Sequence, residues 1–312
     1  MHKCLITGGA GFIGSNLAEK MVELGYDVIV LDNLNGGKLS NLKDIINRIT
    51  FIKCDIRDKD SLRKLFRGID YVIHLAAISS TAYSSAHPEE TNEVNIAGTI
   101  NVLAAAAENK VKRLVFASSA AVYGNAVGLP KKESSISQPV SPYGKAKLMC
   151  EHLCRLFYET FGLKSIILRF FNVYGPKASS SSPYSGVISI FISKLLSKKR
   201  PVILGDGNQT RDFVYVEDVI RAIIASLNSP NKKIINSPIN IATGKSASVN
   251  KMLKLLCVLL KQNVKPLHKE HRKGDIKHSL ASITKARKEI KYRPRYSLEE
   301  GLKKTLNWLM SN

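Results

Sequence analysis

The sequence predicts an α/β fold, a doubly wound parallel sheet with helices on both faces and a smaller mixed region after it. Three observations predict this. Apolar runs of four to six residues alternate with amphipathic helical segments through the first half of the chain, the pattern of strands buried on both faces. The first run leads at once into Gly8-Gly9-Ala10-Gly11-Phe12-Ile13-Gly14 and an apolar-periodic helix. The second run, Val28–Leu31, closes on Asp32.

Taken in order, the apolar run gives strand 3–7, and the periodic segment after the glycines gives helix 12–24. Strand 27–31, helix 39–47, strand 49–53, helix 58–67 and strand 70–74 repeat the alternation. A long helix is expected over 86–109, then strand 113–117, helix 142–161 opening directly after Ser141-Pro142, and strand 164–169. Right-handed crossovers give these strands the doubly wound order. The rhythm breaks after about 173. A serine- and proline-rich loop over 177–185 leads to helix 187–197, a short strand at 202–204 and helix 216–227; the region after Pro238 ends in helix 298–310. Residues 1–173, with returning segments around 205–241, form the expected first domain. Residues 174–204 and 242–312 form the second, which roofs the carboxyl ends of the strands, where ligands of such sheets bind.

Glycines at 8, 11 and 14 let the backbone turn tightly and approach a pyrophosphate, while the helix start offers free N–H groups to the anion. A carboxylate at Asp32 accepts both hydroxyls of an adenosine ribose and repels a 2′-phosphate. NAD is therefore favoured over NADP.

The chain has 312 residues, room for one large core or two modest domains. It holds no run of 18 apolar residues, so neither a span nor a membrane partner is expected. It enters its first strand directly, which leaves no room for a signal peptide and implies a cytoplasmic protein. The five cysteines, Cys4, Cys54, Cys150, Cys154 and Cys257, lie on elements that read as core, and no metal set accompanies them. The net charge is +22, and residues 261–312 hold 14 Lys and Arg against 5 Asp and Glu. Without an arginine-rich tract or an aromatic stripe, the excess reads as a solvated basic surface rather than a nucleic-acid site. Such a field also attracts a substrate with two phosphates.

Tyr143 and Lys147, in Tyr143-Gly144-Lys145-Ala146-Lys147, are one helical turn apart on one face. An ammonium beside a phenol favours the phenolate, and a nicotinium charge nearby would lower its pKa further, making it a base near neutral pH. Strand 113–117 runs into Ser118-Ser119, placing hydroxyls where the cofactor must lie.

These motifs together resemble the extended short-chain dehydrogenase/reductases of the nucleotide-sugar epimerase group, most of all the UDP-glucose and UDP-N-acetylglucosamine 4-epimerases. The resemblance covers essentially the whole chain. T-G-G-A-G-F-I-G at 7–14, Asp32-Asn33-Leu34, Cys54-Asp55-Ile56-Arg57-Asp58, His74-Leu75-Ala76-Ala77, the serine strand, Y-G-K-A-K and Arg169-Phe170-Phe171-Asn172-Val173-Tyr174-Gly175-Pro176 match in order. Gly205–Phe213 (GDGNQTRDF) and His271–Ile276 (HRKGDI) follow.

The resemblance implies a Rossmann domain that holds NAD through Gly8, Gly11, Phe12, Ile13, Gly14, Asp32, Asn33, Leu75, Ser118, Tyr143, Lys147 and Val173. Asp55 and Ile56 would contact the adenine, while Ala76, Ala77, Asn95 and Phe170 would line the nicotinamide half. On the substrate side, Asn172 would hold the diphosphate, Gly186, Val187 and Leu204 the uridine region, and Ser80 the sugar. Arg211 and Arg272 would clamp phosphate oxygens, and Asp275 the uridine ribose. Tyr143 would act as the base, aided by Lys147, with Ser119 steadying the oxygen at C4 and Ser118 as its stand-in. The implied reaction is 4-epimerization of a UDP-hexose through a 4-keto sugar.

Ala120-Ala121 stand where dehydratases and decarboxylases of the group carry an acidic residue, which disfavours loss of water or carbon dioxide. Ser279 stands where glucose-only epimerases place tyrosine, leaving room for an N-acetyl group. UDP-glucuronate epimerization and a non-catalytic RNA-binding role are the alternatives. Ala281-Ser282 replace the usual small-acidic pair, with Ser282 expected to cap the next helix. The small, apolar helices 86–109 and 142–161 are those that pair in the homodimers of relatives, so a homodimer is expected.

Overall fold

The computed structural model describes residues 2–179, 186–270 and 276–311. In chain order its elements are β1 (Lys3–Thr7), α1 (Phe12–Glu23), β2 (Asp27–Asp32), β3 (Thr50–Lys53), α2 (Lys59–Leu65), β4 (Tyr71–His74), α3 (Thr81–Ala86), α4 (Pro88–Asn92), α5 (Gly98–Glu108), β5 (Arg113–Ser119) and α6 (Pro142–Phe161). There follow β6 (Ser165–Phe170), β7 (Asn172–Tyr174), α7 (Val187–Leu196), β8 (Val202–Leu204), β9 (Thr210–Arg211), β10 (Phe213–Tyr215), α8 (Val216–Asn228), β11 (Ile239–Ile241), β12 (Ala247–Ser248), α9 (Val249–Leu259), β13 (Leu267–Lys269), α10 (Thr284–Ile290) and α11 (Leu298–Ser311).

Seven strands form one parallel sheet in the order β11-β6-β5-β4-β1-β2-β3. Because successive side chains alternate faces, each strand feeds two cores. Cys4, Ile6, Ile73, Val115, Ile166 and Leu168 pack with α1 and α8 on one side. Leu5, Val72, Leu114, Phe116 and Ile167 pack with α5 and α6 on the other. The remaining strands form three small two-stranded sheets, β7 with β10, β8 with β13 and β9 with β12, beside the carboxyl edge of the main one.

Two helices differ from the expectation. Residues 39–47 form two short 3₁₀ turns, Leu39–Leu42 and Ile46–Arg48, rather than one helix. The segment is tied down by tertiary bonds, since Lys38 N–H and Asn41 Nδ2 both donate to the Ala10 carbonyl at 3.0 and 2.9 Å. The long helix 86–109 is broken. Pro88 starts a new helix after His87, and Glu93–Ala97 forms a π turn before α5. There the buried Asn95 side chain is pulled onto Ile78, accepting from its N–H and donating to its carbonyl. Ser282 does not cap α10; its hydroxyl meets Thr284 Oγ1 at 3.2 Å, and Ile283 holds the cap position without a side-chain bond.

His74, at the end of β4, is buried in a closed chain of hydrogen bonds. Thr99 Oγ1 donates to the Asn95 carbonyl, so it accepts from His74 Nε2; Nδ1 then accepts from Thr7 Oγ1, which itself accepts from Ala76 N–H. Burial, helped by the nearby Lys147 charge, pulls its pKa down to about 3. The unfolded imidazole takes up a proton near pH 6.5. The unfolded state therefore binds more protons between those values, and stability contributed here is lost as pH falls from about 6.5 toward 3. Urea unfolding across that range is expected to show a shallower acid loss in His74→Gln than in the wild type.

Candidate active site

A cavity of about 730 Å³ runs along the carboxyl edge of β1, β2, β4, β5 and β6. At its floor the β1–α1 turn leaves no space for side chains. Gly8 has a φ of +70°, and a Cβ there would lie 2.7 Å from Ala76 N; a Cβ on Gly14 would lie 2.3 Å from the Gly8 carbonyl oxygen. Both contacts are to backbone, so positions 8 and 14 admit only glycine. Asp32 closes the next strand inside the cavity. Its carboxylate accepts from Ala10 N–H at 3.0 Å and Leu34 N–H at 2.8 Å. Each oxygen keeps a free lone pair for a diol.

Further along the edge, Asp55 accepts a two-pronged bond from Arg57, with Nε at 3.0 Å and Nη2 at 2.9 Å, and a third from Asn33 Nδ2 at 2.8 Å. Arg57 holds this carboxyl down at about 2. Gly11, Phe12, Ile13, Ile56, Leu75, Ala76, Ala77, Phe170 and Val173 line the same cavity.

Ser141 accepts from Gly144 N–H and Pro142 occupies the first turn, so α6 starts where Tyr143 and Lys147 face the end of β5. Lys147 is buried and donates from Nζ to the Ala117 carbonyl at 2.7 Å, with Nζ 5.9 Å from the centroid of the Tyr143 ring. Burial lowers its pKa to about 8. Ser119 accepts from Ala121 N–H at 3.1 Å, and its hydroxyl neighbours the Tyr143 phenol. Burial holds that phenol above its usual range, and the neighbouring Ser119 hydroxyl pulls it part of the way back. The expectation from sequence joins the Lys147 ammonium to a nicotinium charge in favouring the phenolate, and the protein alone supplies only part of that effect. Here Lys147 is engaged by a carbonyl and desolvation of the phenol dominates. Ser118 differs from Ser119, for its hydroxyl donates to buried Glu151 Oε1 at 2.5 Å, and Glu151 in turn is paired with Arg169.

The profile of the NAD dependent epimerase/dehydratase family matches residues 4–242. The chain belongs to this family. Family members of known structure share the fold across their length. The chain is 39% identical to a UDP-N-acetylglucosamine 4-epimerase of Methanobrevibacter ruminantium, solved in complex with UDP-N-acetylmuramic acid, at a TM-score of 0.94 with 99% of this chain and 98% of that one covered. It is 38% identical to a UDP-glucose 4-epimerase of Thermotoga maritima solved with UDP-glucose, at 0.94 and 99% of both chains. A UDP-glucuronic acid 4-epimerase of Bacillus cereus, solved with UDP-glucuronic acid and NAD, is 33% identical at 0.92, again over 99% of both. NAD is the family's cofactor, and the glycine turn, which leaves room for a pyrophosphate, and Asp32, with acceptor capacity for a ribose diol, fit it.

The substrate residues not yet placed, together with Asn95 of the nicotinamide half, divide into four groups. Asn172, Gly186 and Val187 line the cavity. Arg211 and Ser279 meet at one carbonyl outside its lining, Arg211 Nη1 at 2.9 Å and Ser279 N–H at 3.0 Å from Thr210 O. Leu204 sits on β8 nearby, with its carbonyl taken by Gln209 Nε2. Arg272 and Asp275 lie outside the described residues. Two others are turned to structural tasks: Ser80 caps α3 through Tyr83 N–H while neighbouring Ser79 faces the cavity, and Asn95 is spent on Ile78 while neighbouring Val94 lines it.

Sequence reasoning missed several positions. Arg57, Lys38 and Trp308 line the cavity, and only Arg57 stood inside a quoted motif. Buried Asp212, in the T-R-D-F run, gathers Thr243 N–H and Oγ1, Gly244 N–H and Ala281 N–H. It thereby ties the loops of the second region to β10. Three cysteines are core as expected, whereas Cys54 and Cys257 are half-buried and Cys54 reaches the cavity. Among the described residues no His, Cys, Asp and Glu cluster could hold a metal, and no helix is long and apolar enough to cross a membrane.

Proposed function

We propose that the chain is a 4-epimerase of UDP-hexoses that accepts UDP-N-acetylglucosamine together with UDP-glucose. The observation that carries this reading is the meeting of Tyr143, Ser119 and Lys147 in the same cavity as the glycine turn and Asp32. NAD, which the glycine turn and Asp32 would hold, would supply a hydride acceptor and donor and, when oxidised, a positive charge. Such a charge would favour the Tyr143 phenolate against the desolvation that otherwise keeps it protonated.

Tyr143 takes the proton of the sugar's C4 hydroxyl as the carbinol is oxidised, and gives it back when the ketone is reduced on its other face. Ser119 holds the C4 oxygen beside the phenol throughout. Lys147, anchored on the Ala117 carbonyl, holds the nicotinamide ribose and favours the phenolate. Asn172 and Arg211, with Arg272, hold the diphosphate so that the keto sugar turns about a fixed point. The first 173 residues serve the cofactor, and the second region serves the nucleotide sugar.

Ala120 and Ala121 offer only methyl groups, so the chain supplies no extra acid or base there for eliminating water or carbon dioxide. The resemblance puts Ser279 at the sugar's C2 position, where a serine leaves room for an N-acetyl group, and a UDP-N-acetylglucosamine 4-epimerase 39% identical to this chain supports the reading. The test compares kcat/KM for UDP-glucose, UDP-N-acetylglucosamine and UDP-glucuronate. Turnover of UDP-glucose alone, or of UDP-glucuronate above both, overturns the reading. Ser279→Tyr is expected to lower kcat/KM for the N-acetyl sugar by roughly tenfold or more with UDP-glucose little affected.

A homodimer through α5 and α6 fits the exposed apolar side chains of those two helices, Ile100, Met149, Leu156 and Phe161. Light scattering is expected to give twice the chain mass, and serine at Leu156 and Phe161 is expected to shift it toward one.

A further inference from the structure

The basic charge is not evenly distributed. Residues 187–205 and 244–269 together carry ten Lys and Arg and no Asp or Glu, although the whole chain has 47 against 25. The fold brings these segments to one corner. Gln262 Nε2 donates to the Leu195 carbonyl at 3.3 Å, joining the ends of α9 and α7. Arg200 donates to the Lys265 and Pro266 carbonyls at 2.8 and 3.0 Å, and β8 pairs with β13 from Val202↔Leu267 onward. Lys198, Lys199, Lys261 and Lys265 are exposed there.

Large apolar side chains are exposed among these cations. Val258 is 65% exposed, Leu196 43% and Leu267 41%. On α9 the exposed positions Lys251, Lys254 and Val258, with Lys261 just beyond, follow helical 3-4-3 spacing, so one stripe faces outward. Exposed aliphatic groups on lysine-rich segments, with the acids Asp206 and Glu270 only just beyond the segments' ends and no exposed large aromatic within them, complement a phospholipid headgroup layer rather than single-stranded nucleic acid.

We propose that this corner docks the enzyme peripherally on an anionic membrane leaflet. The lysines supply the attraction and Val258, Leu196 and Leu267 the shallow apolar contact. This revises the expectation from sequence that no membrane is a partner, and it is independent of which sugar the enzyme takes.

The test is cosedimentation of the full-length protein with vesicles of phosphatidylglycerol and phosphatidylcholine in equal parts, and with vesicles of phosphatidylcholine alone. The expected result is binding to the first and not the second. Lys198→Glu with Lys199→Glu and Lys261→Glu should weaken it roughly tenfold or more. Val258→Ser with Leu267→Ser should remove the binding that survives at high salt. Melting temperature and epimerase turnover, unchanged in both variants, establish that the fold is intact. Binding to neither vesicle, equal binding to both, or binding to poly-uridylate as tight as to the anionic vesicles and lost with the same charge reversals overturns the proposal.

Discussion

Replacing Tyr143 by phenylalanine is expected to lower turnover of either UDP-hexose by roughly a hundred- to ten-thousandfold, with KM and bound NAD little changed. The substitution removes one oxygen from a ring that stands at the cavity wall beside Ser119. It leaves the packing of α6 intact and takes away only the group that moves the proton. The split between kcat and KM is the informative quantity, because a merely structural tyrosine would alter both along with stability. Steady-state kinetics on the purified variant, with its cofactor content read by absorbance after denaturation, checks it. A variant that retains more than a tenth of wild-type turnover contradicts the role given to the phenol.

Gly14→Ala is the second large effect, and it acts on the cofactor rather than on the proton. The added methyl would lie 2.3 Å from the Gly8 carbonyl oxygen and 2.6 Å from Gly9 Cα. Both neighbours are backbone, so the β1–α1 turn must open. Overpacking of this kind typically costs about 1–3 kcal/mol. The expected outcome is a protein that folds with a lowered melting temperature but holds NAD roughly ten- to a hundredfold more weakly, measured by dialysis and titration. Turnover should recover when NAD is added in excess. Full cofactor retention would mean that the pyrophosphate does not rest on this turn.

Much of this arrangement was legible because local signals and tertiary demands agree. Helix α6 spans the expected residues. Ser141 caps it, Pro142 sits in its first turn, and Gly162 ends it at a φ of +72°. The parallel strands showed as unbroken apolar runs because both their faces are buried. The turn and Asp32 were readable since their chemistry requires those residue types at those positions.

What escaped the sequence depends on partners far away in the chain. Spacing gave residues 39–47 a helical look, but the Ala10 carbonyl claims Lys38 and Asn41 and leaves only 3₁₀ turns. Asn95 reads as a cavity residue until Ile78 is seen to take its amide. Trp308, near the end of the last helix, reaches the cavity only because α11 packs back against β10 and α9. The pKa logic at Tyr143 was half visible. Spacing placed the ammonium on the right face, but neither burial nor the Ala117 carbonyl can be read from a heptapeptide.

The measurement that bears most directly on the central claim uses the purified protein with no cofactor added. It is incubated with UDP-glucose, or with UDP-N-acetylglucosamine, and the nucleotide sugars are resolved. The account predicts that both gluco forms convert to their galacto epimers, and the reverse, with no net change in nucleotide or in sugar oxidation state. Failure to interconvert either pair, or release of a dehydrated or decarboxylated sugar, contradicts it.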